Sequence, residues 1–179
     1  MRPHLSRTVG LAALSVADAC LKLGLSPKIK WPNDILLDGK KTAGILVETV
    51  WCGDEADLLV IGMGINVGAE SVPPEASLKF PATSMEGMLG KALKREELIS
   101  LILSAVQDRR EQIGSHGFIK AWDEQLAFRG EPVQIQPGAG ETIHGVVDGL
   151  ESDGSLRLRD AHDKSVVVRF GDVSLRPAA

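Results

Sequence analysis

Three short segments concentrate the residues that could do chemistry. They are Lys30-Trp31-Pro32-Asn33-Asp34, then Lys40-Lys41 running into Gly44-Ile45-Leu46-Val47-Glu48, and Gly62-Met63-Gly64-Ile65-Asn66. Each sets charged, amide or glycine residues against a strongly apolar run, and loops joined to rigid strands are where binding groups are held. A lysine leading directly into Ile45-Leu46-Val47 suits a carboxylate or phosphate, because a sheltered ammonium is costly unless an anion pairs with it. Adjacent strand residues face opposite ways, so only one of Lys40 and Lys41 can enter a pocket. The competing reading is a polar hairpin tip with both lysines in water. Asn33 and Asp34 fit turn-making, or hydrogen bonding to a ligand with Asp34 near a cation or metal. Trp31 reads first as a packing anchor. Gly62 and Gly64 weaken a strand, which points either to close approach of a ligand or to a bulge at a sheet edge.

Other chemistries find no support. Gly-Met-Gly-Ile-Asn lacks the third glycine and the following helix of a dinucleotide fingerprint. His4, His116, His144 and His162 are scattered without zinc spacing, and no serine sits in a nucleophile elbow. What remains is positioning and electrostatic stabilisation of an anion.

The elements that must hold these residues follow from periodicity. Val9, Ala12, Ala13, Val16, Ala19, Cys20 and Leu23 recur at helical spacing, so residues 6–23 are expected to form a helix, stopped by Gly24. Lys28 to Trp31, Ile35 to Leu37 and Thr42 to Val50 are strand candidates. Asp38-Gly39 is a hairpin signal, because that turn needs positive φ. Leu58 to Val67 is apolar enough to suggest a strand buried on both faces. Thr83, with Glu86 three residues on, has the form of a capping box. A short helix should follow, then helices from Arg95 to Ile113 and from Phe118 to about Phe128. Leu98, Leu101, Ile102, Ala105 and Val106 form the apolar stripe of the longer one.

Beyond Arg129-Gly130 the pattern changes to short strands: Pro132 to Gln136, Thr142 to Leu150, Ser155 to Arg159 and Ser165 to Phe170. The turn clusters Pro137 to Gly140, Asp153-Gly154 and Asp160 to Lys164 separate them. That spacing predicts a small β-barrel docked on the preceding part.

The totals agree with a globular chain: 179 residues, 44% hydrophobic, 25% charged, net charge −4. The sequence pI of about 5.6 argues against a global nucleic-acid footprint. Residues 1–50 nevertheless hold seven Lys/Arg against four Asp/Glu, so this part is locally cationic. The run Val9 to Leu23 is broken by Ser15, Asp18 and Lys22, too short and too polar to span a bilayer. Cys20 and Cys52 have no partner at metal or redox spacing and fit a reducing cytosol.

Taken together, Lys30 to Asp34, Lys41, Gly44 to Glu48 and Gly62 to Asn66 strongly resemble biotin protein ligases in wording, order and spacing. Ala82-Thr83-Ser84, the helix pair, Trp122 and Gly171 to Arg176 extend the resemblance over essentially the whole chain. It implies an α+β fold: a mixed β-sheet with packed helices, of the class II synthetase-like ligase type, over residues 1–128. A small Src-homology-like β-barrel would follow at 129–179. It implies a cytoplasmic enzyme that activates biotin with ATP and Mg2+ to biotinyl-5′-adenylate. The biotinyl group would then pass to a lysine of a biotin carboxyl carrier protein. By the same resemblance, Lys41 is the catalytic cation contacting the biotin carboxylate and the adenylate phosphate. Gly44, Gly62 and Gly64 would admit the biotin ring system. Asn33, Asp34, Asn66 and Arg176 would serve ATP, with no metal ligand directly assigned. Pairing of two copies through the sheet is part of the same expectation.

One departure stands out. The family's glycine-arginine-rich loop and the residues that grip the ureido ring normally precede the helix matched here by residues 6–23, and they are not found. The expectation is a catalytic domain lacking its N-terminal part and any DNA-binding module. Two alternatives remain: a non-catalytic nucleotide-binding or assembly module derived from such a ligase, or a lipoyl or octanoyl transferase. The Lys30 to Asp34 word and the C-terminal strands disfavour the second.

Overall fold

The computed structural model describes residues 6–78, 80–137, 141–169 and 173–177, with the side chains of Pro137 and of 173–176 excepted. Helix α1 (Thr8–Lys22) is buried over most of its circumference, from Leu11 through Cys20. Its small residues let other elements come close. A Cβ at Gly10 would sit 2.3 Å from the Trp122 ring, so only glycine fits there. Burial also pushes the Cys20 thiol up to about 12.

The strands β1 (Pro27–Lys30), β2 (Asp34–Leu37), β3 (Lys40–Cys52) and β4 (Glu55–Ile65) form a four-stranded antiparallel sheet in that order. The hairpin between β2 and β3 turns at Asp38 (φ 49°) and Gly39 (φ 69°), the positive-φ pair that Asp-Gly supplies. One face of the sheet packs Ile29, Ile35, Leu37 and Ile45 into the core with α1. The β1 edge is covered by the chain after α4, where Ile29 N–H donates to Gln125 O at 2.7 Å.

Three helices follow: α2 (Met85–Leu89), α3 (Arg95–Gln112) and α4 (His116–Glu124). Leu98, Ile102 and Ala105 are the buried stripe of α3. A bidentate pair from Arg109 to Asp18, at 2.7 and 2.9 Å, fixes α3 to α1, and it holds the guanidinium above its ordinary pKa. The second sheet has five antiparallel strands: β5 (Pro132–Pro137), β6 (Ile143–Leu150), β7 (Leu156–Arg159), β8 (Ser165–Val168) and β9 (Val173–Pro177). Their order is β8-β7-β6-β5-β9. Strand ladders are antiparallel throughout, parallel pairing being confined to isolated bridges such as Lys41 with Ala82.

The second sheet is tied to the rest by specific contacts. Trp31 Nε1 donates to Gly154 O at 3.1 Å, and Arg7 donates to Ser152 O and Ile113 O, each at 2.6 Å. The β6–β7 turn at Gly154 (φ +88°) lies against the Trp122 ring, where a Cβ would approach to 2.6 Å. The core is continuous across this junction.

Several expectations need correction. Strand β4 is not buried on both faces: it is the sheet edge, and Leu58 and Val60 face outward. The cap of α2 is Ser84 rather than Thr83, its hydroxyl accepting from Gly87 N–H at 3.2 Å. Glu86 accepts instead from Leu93 N–H. Helix α4 ends at Glu124, where the chain turns back to cover β1. A fifth C-terminal strand, β9, lies beyond the four read from sequence. Among the described residues, no pairing joins β8 to β9 to close a barrel. The turn cluster after Pro137 and residues Gly171-Asp172 fall outside the described residues.

Candidate functional site

The outer face of the four-stranded sheet carries a cleft of about 390 Å³, with Lys30, Asp34, Lys41, Gly44, Gly64 and Asn66 among its walls. Lys41 reaches it through a break in strand regularity. Ile35 pairs with Ala43 and Leu36 with Lys41, so Thr42 is unopposed. That bulge moves Lys41 onto the same face as Gly44, although the two lie three positions apart. The ammonium lies 3.2 Å from where a Gly44 Cβ would be. Buried Thr42 Oγ1 has no hydrogen-bond partner, so the bulge carries a desolvation cost of about 1–3 kcal/mol. The Lys41 backbone is held on its second side, with N–H donating to Pro81 O (2.7 Å) and C=O accepting from Thr83 N–H (2.9 Å).

The two lysines share one carboxylate. Asp34 Oδ1 lies 2.5 Å from Lys41 Nζ, and Oδ2 lies 3.0 Å from Lys30 Nζ. Lys30 is enclosed, its ammonium 4.7 Å from the Phe80 ring centroid, whereas the Lys41 side chain is 41% exposed. Two ammonium groups against one carboxylate leave the cleft one positive charge in excess. Such a site favours an anion, more strongly where the walls are apolar.

The remaining residues frame this centre. Gly44 and Gly64 are register partners on β3 and β4, and Gly62 pairs with Leu46. Gly64 lines the cleft and Gly62 lies outside the lining; Cβ atoms at both would meet nothing closer than 3.8 Å, so the sheet there is open rather than filled. Pairing around them is regular, which removes the bulge alternative for this segment; the second register shift lies at Val50/Trp51. Asn66 lines the cleft and donates to Thr83 O at 3.2 Å, while its N–H bonds to Thr42 O at 2.8 Å. Asn33 is outside the lining. Its side-chain amide donates to Ile45 O (2.7 Å) and its C=O accepts from Ile45 N–H, pinning the Trp31 to Asp34 loop onto β3. Lys40 is exposed at the hairpin end. Arg176 is on β9 opposite Gln134, and its side chain lies outside the described residues.

Sequence reasoning gave Lys30 and Phe80 no role. The signal for Lys30 was present: a lysine and an aspartate four apart, bracketing a turn at Pro32. Phe80 enters from a loop whose path no periodicity encodes.

A cation in excess above a glycine-floored sheet gives a cleft suited to an anion. Comparisons with known proteins bear on the family. Residues 6–66 match the Biotin/lipoate A/B protein ligase family. The biotin–[acetyl-CoA-carboxylase] ligase of Paracoccus denitrificans is 35% identical over 168 residues, covering 88% of this chain and 68% of that protein. The bifunctional ligase/repressor BirA of Escherichia coli is 31% identical over 181 residues, 97% of this chain and 53% of that protein. The structure of the Aquifex aeolicus biotin protein ligase in complex with biotin and ATP superposes with a TM-score of 0.82 at 26% identity. It covers 98% of this chain and 73% of the Aquifex chain. The chain belongs to the biotin protein ligase family, whose members are ATP-dependent ligases. It spans about two-thirds of the Paracoccus relative's length and about half of the Escherichia one.

Proposed function

We propose that this chain carries the carboxylate-activating centre of a biotin protein ligase. In the first step an oxygen of the biotin carboxylate attacks the α-phosphorus of ATP. A P–O bond forms, the bond to the β,γ-unit breaks, and pyrophosphate leaves. In the second, the amine of an acceptor lysine on a carrier protein attacks the acyl carbon, forms the amide and releases AMP. Both partners of the first step are anions. The observation that carries the reading is the Lys41 ammonium, held on the glycine face beside Asp34 with a positive charge in excess. A cation there offsets the repulsion and stabilises the charge that builds on the phosphate.

Gly44, Gly62 and Gly64 give the fused ring system of biotin room against the sheet. Asn66 and Asp34 shape the phosphate side, Asn33 holds the loop that carries Asp34, and Arg176 reaches the nucleotide from the C-terminal strands. Magnesium would enter with the nucleotide as part of the substrate, held largely by its phosphates and by water. In this reading residues 1–128 form the catalytic unit and 129–179 a small barrel-like unit closing over the nucleotide.

The test is direct. Purified chain given biotin and MgATP should release pyrophosphate and accumulate biotinyl-adenylate. ATP binding without release would instead mark a non-catalytic module.

Two further parts belong to the same reading. The β4 edge has no strand partner among the described residues, and Leu46, Val50, Leu58 and Val60 are exposed beside it. Two copies joined along this edge would cover both liabilities. Sedimentation that stays monomeric at high concentration would remove that pairing. No described helix is long and apolar enough to cross a membrane. The carrier proteins acted on would place the reaction in the cytoplasm, which fractionation of cells would check.

A further inference from the structure

We infer that Lys30 is a positioning residue that frees Lys41 for its ligand by holding Asp34 in place. The inference deepens the reading of this cleft as an anion-activating site and rests on it. Asp34 contacts two ammonium groups, Lys41 at 2.5 Å and Lys30 at 3.0 Å, but the two lysines differ in how far water reaches them. Lys30 is 9% exposed, lies against the Phe80 ring, and has Asp34 as its one ion-pair partner among the described residues. An enclosed ammonium cannot give up its only counter-charge without a large desolvation cost. Lys41 is open to water on one side and can leave Asp34 at much smaller cost.

When an anion enters the cleft, the exchange is therefore asymmetric. Lys41 swings from the carboxylate to the incoming anion. Lys30 keeps the carboxylate neutralised and stationary. Without Lys30, Asp34 would hold Lys41 as its sole partner, and once Lys41 left it would face the anion as an uncompensated like charge. The harm from losing Lys30 thus acts through Asp34, which separates this role from general support of the fold.

A double-mutant cycle tests the idea, with inorganic pyrophosphate as the probe and calorimetric titration as the readout. Lys30→Gln should weaken pyrophosphate binding by about tenfold or more. Lys30→Arg should restore it to near wild type. Adding Asp34→Asn to Lys30→Gln should recover most of the lost affinity, to within about threefold of wild type, because the carboxylate that recaptures Lys41 has gone. If Lys30→Gln fails to fold, Lys30→Met fills the same slot beside Phe80 and gives the same comparison.

Wild-type affinity in Lys30→Gln, a double variant as weak as the single one, or a wild-type chain that binds no pyrophosphate would each overturn the inference. The ligase reading falls separately. A wild-type chain that binds pyrophosphate with this mutational pattern yet forms no adenylate sinks the ligase reading alone. Normal adenylate formation and normal pyrophosphate binding in Lys30→Gln sink the role of Lys30 alone.

Discussion

Two clusters of charge in this molecule invite comparison: the Lys30–Asp34–Lys41 group on the first sheet, and the ladder on the second. In the ladder Arg157 pairs with Asp148 (2.6 Å) and Glu151 (3.1 Å), and Arg159 pairs with Asp148 (3.5 Å) and Asp163 (3.4 Å). Two guanidinium groups there meet three carboxylates, all at least partly exposed. Hydrogen bonding from Arg157, helped by its charge and those of Arg159 and Arg129, holds Asp148 below the ordinary carboxylate range. Every cation in the ladder is matched, so nothing is left to attract a ligand. In the cleft the proportion is reversed, and one cation is left over beside an empty glycine floor. Charge density alone does not mark a functional site; imbalance next to unfilled space does.

The sharpest way to break the comparison is to remove the surplus. Lys41→Ala should lower pyrophosphate release by about 10²–10³-fold, the scale of losing one transition-state charge stabiliser. Melting should change little, because Lys41 is partly exposed and Asp34 keeps Lys30. A near-wild-type rate would place the chemistry elsewhere.

Filling the floor should act on binding alone. Gly64→Val puts side-chain atoms where the nearest neighbour of the Cβ is 3.8 Å away, so the fold should accept it. Biotin affinity should fall by about tenfold or more, since even one misplaced group in a fitted pocket costs about 1–3 kcal/mol. Unchanged affinity with an intact fold would mean the ring binds off this face.

The matched cluster should give the smallest response and a pH-dependent one. The pKa of Asp148 is depressed in the folded state, so its stabilisation is present above the unfolded value of about 3.9 and is lost as pH falls through the lower folded value. Asp148→Asn should therefore cost about 0.5–1 kcal/mol near neutrality, and the two proteins should converge in strong acid. Denaturant titrations at neutral and acid pH would show it. A difference that persists in strong acid would assign the loss to packing rather than charge.

How much of this was legible in the sequence depends on the range of the interaction that decides each feature. The Asp38-Gly39 hairpin, α1 and the stripe of α3 were readable because the deciding forces are local: a positive-φ requirement and a helical repeat. Strand β4 was misread because an apolar run shows that a strand is apolar, not that a neighbour covers it. The α2 cap was missed by one residue because Thr83 and Ser84 are both competent, and the choice depends on Thr83 bonding back to Lys41. The residues of the cleft could be named, but the reason both Lys41 and Gly44 face it could not. Their shared orientation depends on pairing with β2, which no pattern within β3 announces.

That irregularity at Thr42 makes the shape of the strand between the hairpin tip and the glycine floor stricter than the identity of the residues within it. Exchanging Thr42 for valine would keep the count, remove an unpaired hydroxyl and leave the amine on its side. Straightening the ladder without losing a residue would set Thr42 opposite Leu36 and send the amine through to the opposite surface. Substitutions at Thr42 that keep the bulge should therefore be tolerated, and those that flatten it should not.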